Sequence, residues 1–171
     1  LLVERFDRRL TDNGWLKQFI VSALTLLDLS EQEGRYASYL DLSEVIRKAC
    51  YQPIDTLHEL YRRMIFNILI GNTDDHAKNH AFFWDGKQYA LTPAYDICPY
   101  YRVGQQASQA MTVGKMGSYS LLANALTAAE YFQLTPEQAK IEINTLVEGV
   151  KTYWPEACER AHLTTHQQDR L

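Results

Sequence analysis

Between Leu60 and Ile70 the apolar residues fall on one helical stripe, Leu60, Met64, Ile65, Ile68 and Leu69, and Gly71 supplies a C-terminal stop. A helix with such a stripe must bury it, so the segment that follows is carried on a support anchored in the core. That segment is Asn72-Thr73-Asp74-Asp75-His76-Ala77-Lys78-Asn79-His80, which crowds acids, amides, imidazoles and an ammonium onto one loop. No folding need explains that density of ligand-type groups.

The residues beyond the loop predict a return path. Ala81-Phe82-Phe83-Trp84 and Gln88-Tyr89-Ala90-Leu91-Thr92 are strand-like runs separated by Asp85-Gly86-Lys87, and Asp-Gly is a hairpin signal because glycine tolerates positive φ. A hairpin brings the chain back to where it began, so Asp96, in Thr92-Pro93-Ala94-Tyr95-Asp96, can lie beside the loop that carries Asp74 and Asn79. The pattern is a carboxylate, an amide five positions on, and a second carboxylate across a hairpin. Phosphoryl transfer uses such a set: an aspartate takes the proton of the accepting hydroxyl, an asparagine binds magnesium, and a later aspartate binds the metal that bridges the nucleotide phosphates. Magnesium prefers hard oxygen ligands and keeps several waters, so one amide oxygen, one carboxylate and phosphates suffice.

Leu69 to Asn79, followed by Leu91-Thr92-Pro93-Ala94-Tyr95-Asp96, resembles the catalytic segment of HipA-type kinases, the toxin components of bacterial HipBA modules. Val3-Glu4-Arg5-Phe6-Asp7-Arg8 resembles the hinge of the same family. The resemblance implies an α+β fold, a mostly helical kinase-like C-terminal lobe with short β-hairpins at the hinge (residues 2–9) and around the catalytic loop (residues 72–97), and a helical part over residues 118–171. It also implies roles. Asp74 falls on the catalytic base and Asn79 and Asp96 on the magnesium ligands. His76, Lys78, Asn79 and Tyr95 fall on positions lining the nucleotide phosphates. Glu4, Arg5 and Phe6 belong to the hinge that holds adenine, and Asp7 falls on the position reaching the ribose. Lys78 follows the base by four residues, as in HipA, whereas eukaryotic protein kinases place their loop cation two residues after it. ATP and Mg2+ are the implied cofactors. A HipB-like antitoxin repressor is the implied partner, with DNA reached only through it, and the implied substrate is a protein hydroxyl such as one on an aminoacyl-tRNA synthetase.

A kinase also needs a loop over the phosphates and a lysine on a strand, both upstream of the hinge. With the hinge match beginning at Val3, the expectation is a C-terminal lobe without its N-terminal lobe, poorly active alone and restored by the missing lobe in cis or in trans. Two other classes compete. His76, His80 and Asp96 are residue types that could hold a transition metal for hydrolysis, and the chain could be a noncatalytic interaction lobe.

Composition bounds the setting. At 171 residues with 46% apolar and 22% charged residues, one globular core is expected. A net charge of −4 argues against broad nucleic-acid affinity, which needs cations to neutralise phosphates. Three widely spaced cysteines, Cys50, Cys98 and Cys158, suit reduced thiols, and no apolar run reaches the roughly 20 residues a membrane span needs. The expected place is the cytoplasm. Strands are expected at residues 2–9 and 15–21 around an Asn13-Gly14 turn, and helices at 42–50, 53–70 and 118–133. Residues 97–117, with Gly104, Gln105, Gln106 and Ser108, have loop composition. A last helix is expected to start at the Thr135, Pro136, Gln138 capping box and to run to residue 161. Asp75 is expected to be a solvated neighbour of Asp74, and His80 to pack at a strand start.

Overall fold

The computed structural model describes residues 4–101 and 106–168. Leu2 and Val3 of the expected hinge strand, and Gly104 and Gln105 of the expected loop, lie outside the described residues. The fold is α+β: β1 (Arg8–Thr11), β2 (Gly14–Lys17), β3 (Phe19–Ser22), α1 (Ala23–Leu26), α2 (Tyr39–Ala49), α3 (Pro53–Leu69), β4 (Ala81–Trp84), β5 (Tyr89–Leu91), α4 (Leu122–Thr127), α5 (Pro136–Arg160) and α6 (Thr165–Gln168), with short 3-10 turns between them.

Helix α3 is the central pillar. Pro53 occupies its first turn, where the missing N–H costs nothing, and Gly71 follows its end at φ 73°, a left-handed value that suits glycine. Leu60, Met64 and Ile65 are fully buried and Ile68 nearly so, while Leu69 is half-buried. Tyr61 adds to this face, stacking on Phe132 at 5.0 Å and donating from its hydroxyl to the Ala125 carbonyl at 3.1 Å. Helix α2 packs along α3 through Leu42 and Ile46, and α5 covers another side. Truncating a core residue such as Met64 to alanine should cost about 2–5 kcal/mol.

Two small antiparallel sheets flank the pillar. The β1–β2 hairpin turns through Asp12 and Asn13, with Gly14 pairing Thr11 as the first residue of β2. The expected strand over residues 15–21 is two strands. Gln18 donates its N–H to the Asp7 carbonyl at 2.8 Å and closes the hairpin, after which β3 leaves to pair with β4. Residues 4–7 of the expected strand are not in a strand, and β1 begins at Arg8. The β3-β4-β5 sheet is completed by the expected hairpin. Asp85 Oδ1 accepts from the N–H groups of Lys87 and Gln88 at 2.8 Å, and Gly86 sits at φ 99°.

Two expectations about the second half change. Residues 106–117 do not form a loop loose from the core: Met111 and Val113 are fully buried, Thr112 bridges Ser38, and Ala110 donates to the Thr73 carbonyl at 2.9 Å. The helix expected over residues 118–133 is only α4 and a 3-10 turn at Ala129–Phe132. Ser118 and Ser120 are instead used in pairing, with Gln109 donating to the Ser118 carbonyl and Ser120 to the Ala107 carbonyl, both at 2.8 Å. The long helix α5 begins as expected, with Thr135 accepting from the Gln138 N–H and the Gln138 side chain accepting from the Thr135 N–H. It continues through Pro155 to Arg160.

Candidate active site

The loop after α3 is held from beneath by a buried polar cluster. Asn72 donates to Asn67 Oδ1 at 2.9 Å, and Asn67, on the buried face of α3, donates to Asp75 Oδ2 at 2.7 Å. The same Asp75 oxygen accepts from the Tyr39 hydroxyl and lies 3.1 Å from His80 Nε2. Asp75 is 3% exposed and His80 2%, so Asp75 is not the solvated neighbour expected of it. Burial pushes the Asp75 carboxyl up, but the charge of His80 and hydrogen bonds from His80, Tyr39 and Asn67 outweigh that and leave it below its ordinary value. Burial first, then the Asp75 charge, pushes the Tyr39 hydroxyl well above its usual range, so Tyr39 remains a donor at neutral pH.

Above this cluster the loop presents its outer residues. Asp74 is exposed, whereas Asn79, five positions on, is 7% exposed and donates its amide nitrogen to the Asp74 carbonyl at 3.3 Å. The two are thus tied within one loop, across the 3-10 turn Ala77–Asn79 in which the Asn79 N–H meets the His76 carbonyl at 2.8 Å. His76 is half-buried and its Nδ1 has no hydrogen-bond partner among the described residues. Lys78 is half-exposed and pairs with Glu31 at 3.3 Å, an exposed contact of small energetic weight.

The hairpin brings its far end back to the loop. Thr92 donates its N–H to the Ala81 carbonyl at 2.9 Å, and Arg63 of α3 donates to the Thr92 carbonyl at 2.8 Å. Three residues on, the Tyr95 hydroxyl donates to the Lys78 carbonyl at 2.5 Å. Asp96 is exposed and adopts φ 57°. Asp28, Gln133 and His162, the other described non-glycine residues with positive φ, each follow or cap a helix, where a left-handed residue is ordinary. Asp96 ends no helix, and strain of that sort away from a cap concentrates where function demands a particular side-chain direction.

The N-terminal segment joins the same corner through one ring. Phe6 stacks on Tyr95 at 5.6 Å and meets Phe83 of β4 edge-on at 6.0 Å. Asp7 is engaged on both sides, by Arg5 at 2.6 Å and Arg8 at 3.0 Å, and these guanidiniums hold its carboxyl well below the usual range. Glu4 is exposed.

The structure thus brings together Asp74, His76, Lys78, Asn79, Tyr95 and, through Tyr95, Phe6. It does not assemble the hydrolase set. His80 points into the core onto Asp75, and among the described residues no three His, Cys, Asp or Glu side chains gather to hold a metal. Sequence reasoning missed Tyr39, Asn67, Asn72 and Arg63 as supports of the site. Only Asn67 carried a readable signal, an amide placed among the apolar positions of an amphipathic helix.

Known proteins share this architecture. A family model described as the HipA-like C-terminal domain matches residues 1–154. The serine/threonine-protein kinase toxin HipA of Shewanella oneidensis is 28% identical over 113 residues, covering 57% of this chain and 26% of that protein. Y4mE of Sinorhizobium fredii is 28% identical over 102 residues, covering 57% of this chain and 24% of that protein. The match thus spans about a quarter of the length of these relatives. Among solved structures, a chain from the HipA, HipB and operator DNA complex of the Shewanella oneidensis MR-1 toxin antitoxin system superposes with a TM-score of 0.79 at 20% identity, over 98% of this chain and 46% of that one. The described residues include no helix long and apolar enough to cross a membrane.

Proposed function

The chain belongs to the HipA-like C-terminal domain family, and from that premise we propose that it carries the base and the metal ligands of an ATP-dependent serine/threonine protein kinase. Asp74 takes the proton of the accepting hydroxyl. Its exposure suits a group that must reach a docked protein, and among the described residues no side chain bonds to its carboxylate. Asn79 and Asp96 are the magnesium ligands. The amide nitrogen of Asn79 is committed to the Asp74 carbonyl, so Oδ1 is the atom left to face a cation, and an amide oxygen with a carboxylate is a hard donor set that fits magnesium. Held by Asn79 Oδ1 and the Asp96 carboxylate, magnesium would supply positive charge to offset the negative charge that develops during transfer.

His76 and Lys78 serve the phosphates. His76 lies half-buried on the same loop, and the exposed Lys78 would exchange Glu31 for phosphate oxygens. Tyr95 lines the same corner, with Glu4, Arg5, Phe6 and Asp7 as the adenine and ribose edge. The observation that supports this reading most is the tie between segments distant in sequence: the Tyr95 hydroxyl on the Lys78 carbonyl, with Phe6 stacked on the Tyr95 ring. Such a kinase also uses a phosphate-covering loop and a strand lysine, and this chain spans 46% of the solved relative's length.

The biological setting follows the same relatives. One is named a kinase toxin, and the other is solved with HipB and operator DNA. A HipB-like antitoxin repressor is the proposed partner here, with DNA contacted through it, as the net charge of −4 suits. A cytoplasmic translation protein such as an aminoacyl-tRNA synthetase is the proposed substrate. Calorimetric titration of ATP into the chain, together with whatever residues precede Leu1 in its gene, tests the metal assignment. Binding should require magnesium and weaken about tenfold or more in Asn79→Ala and Asp96→Ala. Binding indifferent to magnesium and to both substitutions would overturn it.

A further inference from the structure

The polar cluster beneath the loop has an arrangement that folding alone does not call for. A buried ion pair or polar set can often be replaced by apolar residues of similar volume at no loss of stability, because the desolvation of its charges cancels much of the attraction. Here such a set occupies the junction of α2, α3 and the start of β4, and three of its bonds converge on one atom. Asp75 Oδ2 takes Tyr39 from α2, Asn67 from α3 and His80 from the head of β4.

The residues bonded to this centre bracket the proposed reacting groups. Asn72, bonded through Asn67, precedes Asp74 by two residues, and His80 follows Asn79 directly. Asp75 itself lies between them. The segment from Asp74 to Asn79 is therefore clamped before its start, near its start and after its end by a single buried cluster, and the Asn79 to Asp74 carbonyl bond closes it from inside. Neither Asp75 nor its partners reach the outer face of the loop, since Asp75, Asn67, Asn72 and His80 are all at most 3% exposed and Tyr39 is fully buried. Such a clamp fixes distances between outer residues without touching substrate.

We propose that Asp75, held by Tyr39, Asn67 and His80, is a positioning residue that sets the separation of Asp74 from Asn79 for phosphoryl transfer. This rests on the reading of Asp74 as the base. Misplacing a reacting group by about 1 Å can cost about 100-fold in rate. Loosening the clamp should therefore appear in turnover rather than in substrate affinity, and it should appear in molecules that are still folded.

Four variants, assayed for transfer from ATP in the protein as its gene encodes it, test the proposal. Tyr39→Phe keeps the ring and removes one donor, and Asp75→Asn keeps an oxygen at the shared position while removing the charge. Asp74→Asn is the control for the base. Turnover per folded molecule, with the folded fraction fixed by denaturation curves, should fall about 10- to 100-fold in Tyr39→Phe, with the KM for ATP within about threefold of wild type. Asp75→Asn should fall less than Asp75→Ala. If Tyr39→Phe and Asp75→Asn lower stability but leave turnover per folded molecule within about twofold of wild type while Asp74→Asn abolishes it, the cluster is merely structural and the positioning role is wrong. If Asp74→Asn retains normal turnover, the base assignment fails and this inference falls with it.

Discussion

Replacing Tyr95 by phenylalanine removes one atom from the contact that joins the hairpin's far end to the loop. The hydroxyl donates to the Lys78 carbonyl at 2.5 Å, while the ring stacks on Phe6 at 5.6 Å, and Tyr95→Phe leaves the second contact intact. A neutral hydrogen bond contributes about 0.5–1.5 kcal/mol net. The ring is half-buried, so water can reach the abandoned carbonyl, which places the loss near the middle, about 1 kcal/mol. For a chain of this size that is a fall in melting temperature of about 2–4 °C. In urea the midpoint should fall with the slope unchanged. If the tether is what returns Asp96 to the loop, magnesium-dependent ATP binding should weaken as well, by no more than the factor of about five that 1 kcal/mol allows. A stability loss above about 3 kcal/mol would mean that the ring, not the hydroxyl, carries the contact. An unchanged midpoint would mean that the bond does not form in solution.

Other consequences can be measured separately. Gly114→Ala should destabilise by about 1–3 kcal/mol, because a Cβ there would sit 2.4 Å from the Asn124 carbonyl oxygen, on backbone fixed at the start of α4; thermal unfolding reads the loss. Gly149→Ala should instead stabilise by about 0.5–1 kcal/mol in the same assay, since its Cβ meets nothing within 4 Å and α5 gains a better helix former. A thiol reagent should modify Cys98 quickly in the folded chain and leave Cys50 and Cys158 until denaturant is added, because both are buried and burial pushes the Cys50 thiol up to about 11. The Asp75 carboxyl, held below its ordinary value, contributes stability above the unfolded value of about 3.9 that is lost as pH falls through the lower folded value. Urea midpoints should therefore drop below about pH 4, and Asp75→Asn should flatten that drop.

The parts of this architecture that the sequence announced are those with local causes. The α3 stripe and its glycine stop, the Asp85-Gly86 turn with its side-chain bonds, and the Thr135 capping box each depend on residues within a few positions of one another. The return of the hairpin's far end was legible for the same reason, since a hairpin's geometry is set by its turn; the expectation named Asp96, and the contact the structure shows is that of the Tyr95 hydroxyl with the Lys78 carbonyl. Asp75 was misjudged because one of its partners, Tyr39, is 36 residues away, and nothing in the type of residue distinguishes Asp75 from its exposed neighbour Asp74. The helix expected over residues 118–133 followed alanine and leucine propensity, which pairing of Ser118 and Ser120 with residues 107–109 overrides. The splitting of residues 15–21 between two sheets depends on β4, more than sixty residues on.

The most direct measurement is single-turnover transfer of the ATP γ-phosphoryl to a protein hydroxyl, comparing wild-type full protein with Asp74→Asn at saturating ATP and magnesium. Turnover in Asp74→Asn should fall by about 100-fold or more with ATP affinity nearly unchanged, because a base contributes to the transition state and not to nucleotide binding. Wild-type turnover in Asp74→Asn would contradict the assignment of this loop as the site of phosphoryl transfer.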